Sequence, residues 1–330
     1  YLSYMLVATL AGLVLARGRY DLVYATSPPL FVGGAALVLS YLRRTPLVFE
    51  VRDLWPESAV ALGEMSNPRA VALAGKLEEM CYNRARCVVV VTEGIQRRLQ
   101  ERGFGRKVVL IPNGANTELF HPDVQAAKVL RAELGLEDKF LVVYAGIHGV
   151  AQGLETVLQV AQSLSLQPQE APEIHFLFVG EGPRKAALLD LRSKLDLSNV
   201  TLLPEQPRSQ MPAYLSAADV ALVPLRRLEL FRGALPSKIF DAWACGCPVL
   251  LSIDGEARQV LEQANGGVFV EPEDAEQMAQ AILQLKDDPD RLHRYGDNGR
   301  RFVEAHYSRQ QLAAHLEALL STILEGGTIE

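Results

Sequence analysis

Short runs of β-branched and aliphatic residues alternate along the chain with longer stretches in which apolar positions recur every three or four residues. The runs at 21–25, 47–51, 87–91 and 108–111 predict strands, and 2–16, 30–43, 67–84 and 94–102 predict helices. The segment 111–123, IPNGANTELFHPD, breaks both periods and is rich in turn formers, which marks a boundary. A second alternating set follows, with strands predicted at 140–145, 174–179, 200–203, 220–223, 249–251 and 267–270. Helices fall between them at 154–164, 185–195, 211–217, 237–244, 258–263 and 275–285, and two more stretches, 289–305 and 310–324, close the chain. No repeat or low-complexity tract interrupts the alternation. The pattern predicts an α/β protein of two doubly wound, Rossmann-like domains, with strand C-terminal ends facing a cleft where ligands bind.

Composition adds limits. A chain of 330 residues suits two ordinary domains, and 49% hydrophobic with 22% charged residues supports packed cores rather than disorder. The net charge of -6 argues against a dedicated nucleic-acid binder. Residues 1–122 carry 14 Lys+Arg against 10 Asp+Glu, a net +4, while the rest carry 19 against 29, a net -10. The mildly basic first part suits an anionic surface or substrate, although chance scatter gives the same sign. Cys81, Cys87, Cys245 and Cys247 are too few for a disulfide framework and read as free thiols; Cys245-x-Cys247 lacks the partners of a zinc site. The stretch 1–16 is almost wholly apolar, yet it has neither a basic leader nor the length of a spanning helix. It reads as a buried or interfacial helix of a domain whose beginning is missing.

Several segments carry candidate chemistry. In ALPSKIFDAWACGCPVL, Pro236 suits a first helical turn, where free N–H groups and Lys238 would together attract an anion. Arg232 precedes this turn, and Asp241 shares a face with Ser237 and Lys238. A cation beside a carboxylate fits a nucleoside diphosphate and its ribose; a surface helix with an i,i+3 ion pair fits the same residues. YAGIHGVAQGLETVL follows a strand with a turn carrying Gly146, Gly149 and Gly153, which lets backbone approach a phosphate or sugar, and His148 there reads equally as a loop histidine. FLFVGEGPRKAAL repeats the strand–glycine–helix arrangement, but Lys185 stands where the dinucleotide fingerprint has its third glycine. In LVFEVRDLWPES, Arg52 and Asp53 end a strand and are candidate catalytic residues, the alternative being a structural ion pair of Arg52 with Asp53 or Glu57. Asp288-Pro-Asp290 matches a metal-binding Asp-x-Asp in form, but Pro289 and Asp288 read as a helix start and its cap, so no metal ligands are assigned.

In their order along the chain, FEVRDLWPES, VVVVTEGIQRRL, IPNGANTELFHP, YAGIHGVAQGLETVL, FVGEGPRKAAL, LSAADVALVPL, LPSKIFDAWACGCPVL and GGVFVEPED resemble the retaining glycosyltransferases of family 4, which have the GT-B fold. The nearest resemblance is to a bacterial polysaccharide branch that includes L-fucosamine transferases. It implies an incomplete acceptor-side domain at 1–122, a nucleotide-sugar domain at 123–305, and a closing segment at 306–330 that crosses back to the first domain. It further implies that Gly146, His148, Gly149, Gln152 and Gly153, with Gly180, Glu181 and Gly182, face the donor. Arg232, Leu235, Pro236, Ser237 and Lys238 would meet the diphosphate, Asp241 the ribose, and Glu205 and Gln206 the base. Two family features differ: the usual Arg and Lys of the glycine turn appear as Ile147 or His148 and Gln152, and the first glutamate of the ribose motif falls on Gly233. Lys238 and Arg232 are the candidates to replace that lost charge.

The expected activity is metal-independent transfer of a sugar, with retention, from a nucleotide donor (a uridine diphosphate sugar) to a lipid-linked or glycan acceptor, in polysaccharide synthesis of the O-antigen kind. The nucleotide sugar is a substrate and no cofactor is expected. The expected location is the cytoplasm, with peripheral contact at the inner face of the membrane. A nucleotide-sugar epimerase and a non-catalytic nucleotide-binding module of the same fold remain alternatives; donor turnover without acceptor marks the first, and binding without transfer the second.

Overall fold

The computed structural model describes residues 2–16, 18–166 and 174–327. They form two compact units, one built from residues up to Asn113 together with those from Gln311 onward, the other Gly114–Gln310.

The first unit has four parallel strands, β1 (Val23–Ser27), β2 (Leu47–Val51), β3 (Cys87–Val90) and β4 (Val108–Leu110), in the order β1-β2-β3-β4. Pairing runs Val23 to Leu47, Val48 to Cys87 and Val88 to Val108. Every residue of β3 is buried, as expected of a strand covered on both faces. Its helices are α1 (Leu2–Val14), α2 (Phe31–Arg43), α3 (Glu57–Ala61), α4 (Pro68–Arg84) and α5 (Glu93–Glu101). The Asn67 side chain caps α4 by accepting from the Arg69 amide at 3.0 Å, with Pro68 at the first helical position. Thr92 caps α5 through the Ile95 amide at 3.1 Å. Glu78 is buried between α4 and α5, where it accepts from Tyr82 at 2.6 Å and Arg102 at 2.7 Å. Helix α1 lies against α2 but leaves Tyr4, Leu6, Val7, Leu10 and Val14 exposed. No helix among the described residues is long and apolar enough to cross a membrane.

In the second unit, α6 (Val124–Leu134), α7 (Leu154–Ser165), α8 (Lys185–Lys194), α9 (Met211–Ala217), α10 (Lys238–Ala244), α11 (Glu256–Ala264), α12 (Ala275–Lys286) and α13 (Pro289–His306) surround six parallel strands. These are β5 (Phe140–Ala145), β6 (Ile174–Val179), β7 (Val200–Leu203), β8 (Val220–Pro224), β9 (Val249–Ser252) and β10 (Gly267–Phe269), in the order β10-β9-β8-β5-β6-β7. The winding reverses between β5 and β8, and the carboxyl ends on either side of such a reversal are where open sheets bind ligands. On one face β5, β6 and β8 bury Val142, Phe176 and Leu222 with Leu158 of α7 and Ile282 of α12. On the other, Trp243 of α10 is fully buried and donates to the Gly266 carbonyl at 2.8 Å, while Phe240 stacks on Tyr307 with ring centroids 4.1 Å apart. The last helix, α14 (Arg309–Leu324), sets Leu312, Leu316 and Ile323 against Val48, Cys87 and Val89 of the first unit's sheet.

Several features differ from the expected pattern: β1 lies two residues later than 21–25, and the five-residue α3 was not expected in a stretch read for its charged residues. The units divide at Asn113 and Gly114 rather than after residue 122, because Ala115 pairs with Ser308 and Phe120 is buried in the second unit's core. Helix α6 was not predicted, although its ends carry ordinary signals: Asp123 accepts from the Ala126 amide at 2.9 Å, and Gly135 closes it in the left-handed conformation. The helix expected from 237, with Pro236 in its first turn, starts one residue later at Lys238 and has no side-chain cap. All four cysteines are buried and unbridged, and Asp288 caps α13 through the Arg291 amide at 2.9 Å.

Candidate functional site

The carboxyl ends of β5, β6 and β7, the start of α10 and the side of α9 enclose a cavity of about 540 Å³ in the second unit. Its polar wall carries Lys238 and Asp241, its backbone wall Gly146 and the turn Gly180-Glu181-Gly182, and its apolar wall Phe120, Met211 and Leu215. Glu205, Gln206 and Arg208 line it as well.

Helix α10 has only seven residues, so its dipole is a small part of any attraction for anions. The ammonium of Lys238 is the main source of positive charge there. It points back across the sheet edge to Tyr144 on β5, donating to the phenol oxygen at 3.0 Å and standing 4.3 Å from the ring centroid. Tyr144 in turn donates to the Ile147 carbonyl at 2.7 Å, which fixes the phenol's orientation. A β-carbon on Gly146 would sit 2.6 Å from Nζ, so the lysine lies directly against the glycine turn. Burial without a carboxylate partner lowers its pKa from 10.5 to about 8. The i,i+3 pair of Lys238 with Asp241 does not form. Asp241 faces Arg208 instead, at 3.7 Å, with Oδ1 buried and without a hydrogen bond, and burial raises its pKa from 3.8 to about 6 against the opposing pull of Arg208. The Arg208 guanidinium also lies over the Phe120 ring at 5.2 Å. A half-buried lysine and an under-bonded carboxylate on one short helix make a site that is incomplete without a polar ligand.

The glycine turns are held by backbone pairing. The Gly146 amide donates to Val179 at 2.9 Å and that of His148 to Glu181 at 2.8 Å. Gly180 has φ +152, and a β-carbon there would lie 1.9 Å from the Gly146 carbonyl oxygen, so only glycine fits. Lys185 braces the same turn, donating to the carbonyls of Gly180 and Leu203 at 3.0 Å each.

The cavity therefore gathers Gly146, Gly180, Glu181, Gly182, Glu205, Gln206, Lys238 and Asp241 from the expected set, and the remaining residues lie elsewhere. His148 is fully buried below the turn between Tyr144 and Phe178, neither ring nitrogen has a partner, and burial lowers its pKa, so it stays neutral and does not line the cavity. Gly149, Gln152 and Gly153 form the back of the turn, and Leu235, Pro236 and Ser237 lead into α10 without lining the cavity. Arg232 lines a different cavity. In the first unit Arg52 donates to Asn113 at 3.1 Å and Glu57 faces Arg98 at 3.4 Å, so the alternative ion pair of Arg52 with Asp53 or Glu57 is not made. Asp53 is held by Ser58 and the Leu54 amide, and burial raises its pKa despite those bonds. Sequence reasoning missed Tyr144, Phe120 and Arg208. Arg208, two positions beyond Gln206, had a signal in its charge; the other two look like ordinary core aromatics.

Residues 127–302 match the family described as "Glycosyl transferases group 1", and residues 2–114 match a "Glycosyl transferase 4-like domain". The putative colanic acid biosynthesis glycosyl transferase WcaI of Escherichia coli is 27% identical over 81% of this chain and 67% of its own length. The D-inositol 3-phosphate glycosyltransferase of Thermobispora bispora is 27% identical over 93% and 72%. Among solved structures, sucrose-phosphate synthase from Thermosynechococcus elongatus superposes with a TM-score of 0.81 at 23% identity, over 99% of this chain and 79% of that one. Anabaena HepE in complex with UDP and glucose superposes with a TM-score of 0.79 at 19% identity, over 97% and 83%.

Proposed function

The chain belongs to the glycosyl transferases of group 1 and is a glycosyltransferase of the GT-B type, and from that premise we propose that it transfers a sugar from a uridine diphosphate donor to a lipid-linked or glycan acceptor, with retention and without a metal ion, in the synthesis of a cell-surface polysaccharide. The observation that carries the reading is that Lys238 and Asp241, on one turn of α10, line the same cavity as the glycine turns, with Lys238 directly against Gly146.

In this reading Asp241 accepts the ribose hydroxyls, the apolar wall of Phe120, Met211 and Leu215 takes the base, and Lys238 meets the diphosphate. As the glycosidic bond breaks, negative charge grows on the departing diphosphate. A fixed ammonium lowers the energy of that charge without having to reorganise. Lys238 thus stands in for the cations that the family's glycine turn usually supplies. No nucleophile is assigned. The choice of uridine is supported by HepE, described in complex with UDP and with UDP-glucose, and the polysaccharide setting by the name of WcaI. The exposed apolar face of α1 favours peripheral contact with the inner face of the membrane.

Calorimetric titration tests the site. Lys238→Ala should weaken UDP binding about tenfold or more, the loss of a charge-assisted contact, and leave uridine binding unchanged. Asp241→Ala should weaken both nearly equally. Equal UDP affinity of wild type and Lys238→Ala would overturn the site.

A further inference from the structure

A second cavity, of about 300 Å³, opens in the second unit over the carboxyl ends of β8, β9 and β10, on the other side of the winding reversal from β6 and β7. Three arginines, Arg226, Arg227 and Arg232, and three carboxylates, Glu229, Asp254 and Glu271, line it. Leu228, Phe231, Ile253 and Pro272 give it an apolar floor.

The backbone of this rim is fixed although its charged side chains range from partly to largely exposed, Glu229 most of all. The Arg226 amide donates to the Ala151 carbonyl at 2.8 Å, the Arg227 amide to Glu273 at 2.9 Å, and Phe231 packs on the core beneath. Glu273 holds a left-handed backbone, φ +63, which a non-glycine residue adopts only where its surroundings impose it. The charged groups are only partly paired with one another. Arg232 stands 3.5 Å from Asp254 and 3.8 Å from Glu229, and Arg226 is 3.4 Å from Glu273, all longer than good hydrogen bonds. Arg227 meets Glu271 at 3.1 Å. Donors and acceptors of both signs therefore line a small space, and their long ion-pair contacts leave further N–H groups and lone pairs turned to the cavity or to solvent.

With Glu273 beside Arg226 and with Arg258 facing Asp254 at 3.5 Å, cations and anions number four each around the rim, and that balance decides the ligand class. A phosphate or polyanion would gain from the arginines but meet the carboxylates, whereas a neutral polyol satisfies both: its hydroxyls accept from guanidinium and donate to carboxylate, and its C–H face lies on Phe231. The volume is at the small end of ligand sites and suits one sugar ring. We propose that this cavity is an accessory subsite that binds a neutral pyranose residue of the acceptor glycan, separate from the nucleotide cavity. The inference rests on the transferase reading for the word acceptor, but not for the binding of the sugar itself.

The test is saturation-transfer difference NMR on the full chain with methyl glucoside, methyl galactoside and methyl N-acetylglucosaminide as probes, each recorded with and without saturating UDP. At least one probe should receive transfer, and UDP should not abolish it. The signal should fall roughly tenfold in Asp254→Asn/Glu271→Gln and in Arg227→Gln, variants whose folding is checked by thermal melting, and persist in Lys238→Ala. Transfer to none of the probes, transfer that UDP abolishes, or transfer unchanged in the variants overturns the proposal. So does displacement of the bound sugar by inorganic phosphate, which would mark an anion site. If UDP binds and no sugar does, the subsite fails while the nucleotide site stands; if sugar binds and UDP does not, the reverse holds.

Discussion

Replacing Lys238 by methionine should make the protein more stable and a poorer binder of diphosphate at the same time. Methionine keeps most of the aliphatic stem and its packing beside Tyr144 but removes the ammonium. Holding a proton on a lysine whose pKa has dropped from 10.5 to about 8 costs the folded chain up to roughly 3 kcal/mol. Because the side chain lines an open cavity, water lessens that penalty, and the gain expected for Lys238→Met at pH 7 is about 1–2 kcal/mol. For a unit of this size that is a rise in Tm of roughly 2–8 °C, read by differential scanning calorimetry. The pH dependence fixes the cause. At pH 7 the lysine is charged in both folded and unfolded chains, so the whole penalty is present. Between about 8 and 10.5 the folded chain loses the proton first, the unfolded chain holds more protons, and wild-type stability rises with pH. The Tm difference between variant and wild type should therefore shrink from pH 7 to pH 10. UDP affinity at pH 7 should fall about tenfold in the same variant. A lower Tm for Lys238→Met, a difference that does not change with pH, or unchanged UDP binding would each refute the reasoning.

Asp241→Asn should also stabilise the ligand-free protein at pH 7, by roughly 1–2 kcal/mol, while weakening uridine binding in calorimetry. The wild-type carboxyl keeps its proton up to about 6 when folded and only to 3.8 when unfolded, so its contribution to stability falls as pH rises through that window. Gly180→Ala should lower the urea midpoint, losing about 2 kcal/mol or more, because the new β-carbon meets a backbone oxygen that cannot move without its strand. Glu78→Ala should cost the first unit about 3–5 kcal/mol in thermal unfolding, since Arg102 and Tyr82 would be left without their shared acceptor. Binding to anionic liposomes in co-sedimentation should weaken in high salt and with neutral lipid; binding insensitive to both would refute the electrostatic part of membrane contact.

Local rules were enough for most of the fold. The buried run Cys87–Val90, the cap and proline at Asn67 and Pro68, and the strand–glycine–helix turns after β5 and β6 each state their structure within a few residues. Helix α6 carries end signals in Asp123 and Gly135, but it buries little beyond Ala127, so its apolar periodicity is weak. The glycine turns, Lys238 and Asp241 could be named as site residues because their chemistry and spacing are local. Their partners could not. Lys238 lies on a ring contributed from β5, Asp241 faces an arginine before α9, and Arg232, six residues from Lys238 in sequence, lines another cavity. His148 looks like a loop residue in sequence, and only packing between Tyr144 and Phe178 makes it fully buried. Periodicity and caps act over a few positions, so local sequence places the strand ends to within one or two residues. Which cation shares a cavity with which carboxylate depends on strand order, β10-β9-β8-β5-β6-β7, and that order is set by long-range packing no short segment contains.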